Sequence, residues 1–256
     1  TYSSTAFRNA VTAAYTALFA VADVAAGEMS DDQMAAEAIG ELLPSSLDNT
    51  GACKVEEKDG LFVSSNRTGY AMVADKVAYV TDAFGNYVGS KSFDDAASED
   101  ASVVEAVKTA AAGAYAAASE KNISRIVKMY KDAEVVTLTP TGVQSTVNGA
   151  YTFTSEGATY YAMTASAFGY GGPVNLLYIV DENGTIAKFK VMSHNETEYY
   201  GDVVSQSSYT NGYPGQQLDS IGDDVLVVSG CTFTTNAVKT AAADVAAAFN
   251  AVKEAQ

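Results

Sequence analysis

The sequence predicts an α+β fold in which a twisted antiparallel sheet packs against helices. Hydrophobic residues make up 48% of the 256 residues and charged residues only 18%, so the chain can form a packed core. Alanine-rich segments carry apolar residues at helical spacing. Other segments are rich in β-branched and aromatic residues and are separated by turn signals.

Four segments are expected to be helical because their apolar residues recur every three to four positions. They cover residues 3–26, 31–43, 101–119 and about 233–253. Pro44 follows the second helix and cannot continue it. The last helix is expected to bury an apolar stripe of Val238, Ala242, Val245, Phe249 and Val252.

The expected strands fall into two groups. Residues 52–93 are strand-like, with turn signals at Asp59-Gly60, Asn66–Gly69 and Phe84–Asn86. Asp181–Gly184 predicts a hairpin turn in the second group. The strands of that group are expected at 135–138, 150–154, 159–165, 174–180, 186–192 and 225–228.

The polar segment Ser119–Asn122 is the expected boundary between a domain at 1–120 and a domain at 121–256. Thr5–Val11 resembles residues 232–238, and Glu105–Ala112 resembles residues 236–243. The second alignment puts Ala101 where Thr232 stands. Either alanine-rich helices simply look alike, or two related domains lie in tandem and only the last copy keeps its site.

The net charge of −16 and the isoelectric point near 4.3 argue against binding of nucleic acid or of an anionic membrane surface. No apolar run approaches the roughly 18–20 residues of a membrane span. The sequence begins at Thr1 without Met or a signal peptide, so we expect a targeting segment or anchor to be missing from it. Cys53 and Cys231 form either a disulfide or two free thiols.

Three loops of the second half have an unusual composition. The first spans 168–173 and holds three glycines, which let the backbone approach a flat or phosphorylated ligand closely. The second, 193–201, contains the only histidine, which lacks partners at metal-ligand spacing, so no metal site is expected. The third, 229–238, opens the last helix, whose free N–H groups and dipole favour a phosphate.

Four motifs, taken in order, resemble those of the FMN-binding domain family over about residues 150–250. That family includes the flavin-carrying G subunit of Rnf and the C subunit of Nqr, membrane complexes that pass electrons and pump ions. It also includes flavinylated extracytoplasmic electron carriers. The motifs are Gly169–Pro173, Asp181–Ile186, Ser193–Thr197 and Ser229–Val238.

The resemblance implies FMN as cofactor, joined to Thr232 by a phosphoester that a separate flavin transferase makes. The turn before the last helix would hold the phosphate through Ser229, Gly230, Cys231, Thr234 and Thr235. The two threonines could equally serve as helix caps alone. The other predicted contacts come from the first two loops: Gly169, Tyr170, Gly171, Gly172, Asn195, Glu196, Thr197, Tyr199, Tyr200 and Gly201, with Met192 as a further wall.

The expected function is that of an extracytoplasmic electron carrier, tethered by an anchor outside this sequence, that serves redox partner proteins or a membrane complex. No residue is expected to be catalytic. The alternative is a flavin-free surface module of the same fold. Leu226 favours the alternative, because the family motif has an aspartate six residues before the flavinylated threonine. A flavin enzyme acting on a small substrate lacks support, because no nicotinamide-binding glycine motif is visible.

Overall fold

The computed structural model describes residues 31–43, 55–58, 60–64, 66–142, 146–198, 201–224 and 227–255. The helix expected over 3–26, the first sequence echo and Cys53 lie outside these residues. The chain divides into two compact units, Thr1–Met34 and Ala35–Gln256. Apart from residues 31–34, every described residue belongs to the second unit.

The first sheet is an antiparallel meander of five strands in chain order. The turns expected at Gly60, Asn66–Thr68 and Phe84–Asn86 join its strands. A further turn, Asp75-Lys76, has φ values of 47° and 64°, which two-residue hairpins require. The strands are β1 (Val55–Lys58), β2 (Leu61–Ser64), β3 (Gly69–Ala74), β4 (Val77–Asp82) and β5 (Tyr87–Ser92).

Two helices cover the faces of the first sheet. Helix α1 (Asp31–Leu42), predicted from the sequence, packs Ala38 and Ile39 against alternate residues of β3 and β4. Helix α2 (Ala101–Met129) packs Val107 and Ala111 against the opposite face. Strand β4 is buried along its whole length because it is covered from both sides.

Helix α2 is longer than the sequence predicted. It continues through Ser119–Asn122 and ends at Met129. The polar residues of that segment are accommodated within the fold, since the Tyr151 hydroxyl donates to Ser119 Oγ at 3.2 Å and Asn122 Nδ2 donates to the same hydroxyl at 3.0 Å. The last turns of α2 pack against the second sheet through Ile126. The division into domains at residue 120 stays a prediction.

The second sheet is also a five-stranded antiparallel meander. Its hairpin at Asp181–Gly184 is confirmed: Asp181 Oδ1 accepts from the N–H groups of Asn183 and Thr185, and Gly184 has a φ of 79°. The strands are β6 (Glu134–Thr137), β7 (Val147–Ser155), β8 (Ala158–Phe168), β9 (Pro173–Asp181) and β10 (Ile186–Ser193).

A long connection leads from β10 to the last helix, α5 (Thr232–Glu254), which packs on β8 and β9 with the predicted apolar stripe buried. The connection contains a 3-10 helix (Asp202–Ser205) and two short helices, α3 (Ser207–Thr210) and α4 (Leu218–Asp224). The α+β prediction is confirmed. No helix among the described residues combines the length and apolar character that crossing a membrane requires.

The strand expected at 225–228 is wrong where the structure describes it. Val227 and Val228 belong to no strand, and Val227 is half exposed. The Val228 carbonyl instead accepts from Cys231 N at 3.0 Å and closes the turn before α5. A short apolar run has no periodicity that separates a strand from a loop, which explains the error.

Candidate functional site

A cavity of about 490 Å³ opens where three loops meet: the loop after β8, the loop after β10 and the turn before α5. Its volume lies within the range of about 300–1,000 Å³ that is typical of small-molecule sites. Among the residues predicted from the sequence, seven line it. The lining residues are Tyr170, Glu196, Thr197, Gly201, Gly230, Cys231, Phe233 and Thr234.

The turn before α5 leaves the helix start uncapped. Gly230 has a φ of 84°, which favours glycine, and Cys231 is the cap residue but makes no side-chain capping bond. The N–H groups of a first helical turn have no acceptor within the helix. The first turn also carries no acidic residue. Thr232 is the first residue of α5 and is exposed beside the cavity.

The two threonines expected near the phosphate differ in their surroundings. Thr235 Oγ1 donates to the Cys231 carbonyl at 3.0 Å, and Thr235 is fully buried outside the cavity lining. Thr234 lines the cavity and is 1% exposed, yet its Oγ1 has no hydrogen-bond partner among the described residues. The structure therefore leaves the hydroxyl of Thr234, and not that of Thr235, available to a ligand.

The glycines of the first loop make room for protein atoms. Gly171 N donates to Glu196 Oε1 at 3.1 Å. A Cβ added at Gly169 would overlap the Glu196 carboxylate, and one added at Gly171 would overlap the Asn195 carbonyl. Gly201 is equally close to Glu196. These glycines allow the first and second loops to close around the Glu196 carboxylate. The sequence instead predicted that the glycines of the first loop let a ligand approach the backbone.

The remaining predicted contacts do not line the cavity. Gly172 and the side chain of Asn195 are neighbours of each other. Met192 contacts Arg125 with its sulfur and lines a different cavity. Tyr199 and Tyr200 lie outside the described residues. The predicted residues outside the lining are Gly169, Gly171, Gly172, Asn195, Ser229, Thr232 and Thr235.

Two exposed aromatic rings flank the cavity. Tyr170 is 66% exposed and Phe233 is 51% exposed, and their centroids lie 6.3 Å apart at an interplanar angle of 46°. Exposed aromatic side chains beside a concave site offer flat apolar surface to a planar ligand. The sequence prediction missed Phe233. Its position directly after Thr232, at an exposed helix start, was the available signal.

Two acidic residues lie at the cavity or next to it: Glu196 lines it, and Asp202 directly follows the lining residue Gly201. Glu196 Oε2 and Asp202 Oδ1 are buried and have no hydrogen-bond partner among the described residues. Burial raises the pKa of the Cys231 thiol, and the charges of Asp202 and Glu196 raise it further. Cys231 is therefore a neutral free thiol at ordinary pH. The unpartnered carboxylate oxygens are acceptors that donors on a ligand can satisfy.

Residues 169–247 match the family model of the FMN-binding domain, a stretch that includes all three loops of the cavity. The G subunit of the proton-translocating ferredoxin:NAD(+) oxidoreductase complex of Clostridium ljungdahlii is 29% identical over 86 residues. The match covers 30% of this chain and 46% of that protein, so the chain spans about half the length of this relative. The resemblance seen in the sequence is confirmed, and with it FMN as the cofactor.

Proposed function

Because residues 169–247 match the model of the FMN-binding domain family, we propose that this chain is an extracytoplasmic electron carrier with FMN on Thr232. The link is a phosphoester to the threonine hydroxyl. The observation that carries the proposal is the meeting of three loops, distant in sequence, at one cavity beside the uncapped start of α5.

The phosphate end of the cofactor fits the outer side of the turn. Free first-turn N–H groups and the helix dipole favour an anion there. Thr232 is an exposed residue at the same place. The carboxylates of Glu196, in the cavity lining, and of Asp202, next to the lining residue Gly201, would repel a phosphate, so the charges favour the phosphate at the helix start.

The flavin end fits the remaining lining. Tyr170 and Phe233 supply apolar contact to a flat ring. Glu196 Oε2 accepts from a hydroxyl or N–H of the cofactor, and Thr234 Oγ1 can donate or accept. Bound FMN supplies reversible transfer of one or two electrons, while the chain binds and orients it. The exposed aromatic pair leaves that end open to a redox partner.

The proposed partners follow from the relative. That protein is by name one component of an oxidoreductase complex, and we assign this chain a redox partner protein or membrane complex of its own. Maturation requires a flavin transferase, and the chain works at the extracytoplasmic side of a membrane. Leu226, where the family motif has aspartate, favours the flavin-free alternative and makes attachment the point to test.

The test is co-expression with a flavin transferase, followed by a visible spectrum and mass mapping of the peptide that contains Thr232. The proposal expects a yellow protein and a mass increase equal to FMN less water on that peptide. A yellow protein whose peptide is unmodified overturns the phosphoester. A colourless protein that fails to bind added FMN overturns the carrier function and leaves the flavin-free module.

A further inference from the structure

A second cavity, of about 340 Å³, lies where α2 meets the two sheets, and it shares no lining residue with the first. Three cationic side chains line it: Arg67 from the turn between β2 and β3, and Lys121 and Arg125 from α2. The other lining residues are mostly amides and hydroxyls: Asn66, Tyr70, Ala118, Asn122, Asn148, Thr164, Asn175, Met192 and Ser193.

The charge of this cavity is opposite to that of the protein as a whole. The chain has 31 acidic and 15 basic residues, yet no Asp or Glu lines the cavity. Elsewhere Lys91 pairs with Glu41, and Lys108 pairs with Glu105 at 2.8 Å. The three cations of the cavity make no ion pair with a carboxylate of the described residues. Their mutual repulsion is relieved when an anion binds between them.

The guanidinium of Arg125 is held in place before any ligand binds. Arg125 Nη1 donates to Asn122 Oδ1 at 2.9 Å and lies 3.8 Å from Met192 Sδ, which joins α2 to β10. A guanidinium fixed in this way loses little conformational freedom when it binds an anion. Its remaining N–H donors are available to phosphate oxygens.

The floor of the cavity is polar and ordered. Asn148 Oδ1 accepts from Thr164 Oγ1 at 2.8 Å, and Asn148 Nδ2 donates to the Asn66 carbonyl at 3.1 Å. These bonds orient the Asn148 amide and join the second sheet to the turn between β2 and β3. Tyr70 also lines the cavity and is 4% exposed. A ligand in the cavity therefore meets this tyrosine and the oriented amide of Asn148.

We propose that this cavity binds a small phosphate-bearing organic anion. Three cations surround the phosphate, and the amides and the Tyr70 hydroxyl bind the polar groups beyond it. Two guanidinium groups favour phosphate because their paired N–H donors match its oxygens. The site is separate from the flavin cavity, so the proposal does not rest on the proposed function.

The test is a titration of the purified protein with pyrophosphate, followed by nitrogen-15 NMR. We expect saturable binding of one equivalent, with shifts at Asn66, Asn122 and Arg125. Arg125→Gln should weaken binding about tenfold, because a charge-assisted hydrogen bond is lost. Lys128→Gln removes the same charge from an exposed site on α2 outside the cavity and should change binding by less than about twofold.

Non-saturable binding, or equal weakening by Lys128→Gln, would overturn the proposal. Shifts confined to Gly230–Thr234 would overturn it as well, because they would place the anion at the start of α5. Should Arg125→Gln unfold, Lys121→Gln at an exposed position carries the same test. If the protein never takes up flavin but binds pyrophosphate saturably at this cavity, the proposed function fails while the proposal for this cavity stands.

Discussion

The two five-stranded meanders have a common plan and differ in how the last strand is joined to the following helix. In the first sheet, residues 93–100 join β5 to α2. In the second sheet, residues 194–231 join β10 to α5. The longer connection and the start of α5 together supply every residue that lines the cavity proposed for the flavin except Tyr170. The sheet is a scaffold, and the connection makes the site.

The helices that follow the two sheets, α2 and α5, also differ in how their first turns are capped. The Asp100 carboxylate caps α2, accepting from Ser102 N at 2.7 Å, so this helix start already holds an anion. At α5 the cap residue is Cys231, which makes no capping bond. Ala101 and Thr232 are the first residues of their helices, as the sequence alignment pairs them. An external phosphate has a place only where the protein supplies no anion of its own.

The largest expected effect comes from Thr232→Ala, which should abolish covalent flavin because the accepting hydroxyl is removed. Thr240→Ala, at an exposed position later in α5, is the matched control and should load normally. Adding Ala101→Thr to Thr232→Ala should not restore covalent flavin, because the Asp100 carboxylate occupies that helix start. Intact mass after co-expression with the transferase measures all three proteins. Covalent flavin on the double variant would contradict the comparison between the two helix starts.

The second effect concerns the glycines around Glu196. Gly171→Ala should destabilise the protein by about 1–3 kcal/mol, because its Cβ overlaps the backbone carbonyl of Asn195 and the loops must separate. Flavin uptake should fall with it. Gly113→Ala, at a position in α2 with nothing within 4 Å, should instead stabilise by about 0.5–1 kcal/mol. Urea unfolding compares the two; equal effects would contradict this role of the loop glycines.

The third effect is a pH-dependent loss of stability at the start of α2. The hydrogen bonds from the Ser102 side chain and backbone lower the pKa of Asp100, so its carboxylate stabilises the fold above the unfolded-state pKa. Asp100→Ala should modestly lower the urea midpoint at neutral pH. The difference from wild type should vanish as the pH falls through the lowered pKa. Asp95→Ala is the nearby control, and flavin uptake should be unchanged in both.

The smallest effect concerns the thiol of Cys231 at the start of α5. Because the pKa of Cys231 is raised, its alkylation by iodoacetamide at pH 8 should be slower than that of an unstructured peptide thiol. Asp202→Asn removes a charge that raises this pKa, so alkylation should be faster, by less than about tenfold. Peptide mapping separates Cys231 from Cys53. An unchanged rate in Asp202→Asn would exclude the influence of that carboxylate.

Much of the fold could be predicted because its signals are local. The strands of the second sheet and the stripe of α5 follow from β-branched runs and helical spacing. The end of α2 could not, since Ser119 and Asn122 look like a linker until Tyr151 provides their hydrogen bonds. The short helices of 202–224 lack a strong period and were missed for a related reason.

The order of the motifs along the sequence was enough to predict which loops form the site. Tyr170, Glu196 and Thr234 were assigned to one site and do line one cavity. Their individual roles depend on the direction in which each side chain points, and a sequence does not contain that direction. The Thr235 hydroxyl donates to a backbone carbonyl, while Thr234 next to it lines the cavity. The second cavity could not be predicted from the sequence, because Arg67 and Arg125 come together only when both sheets pack on α2.

The most direct measurement is a crystal structure of the yellow protein purified after co-expression with a flavin transferase. The account predicts flavin density in the cavity beside Tyr170 and Phe233, with phosphate density continuous with Thr232 Oγ1. Density for the flavin at another place, or a cavity filled by the chain's own side chains, would contradict it.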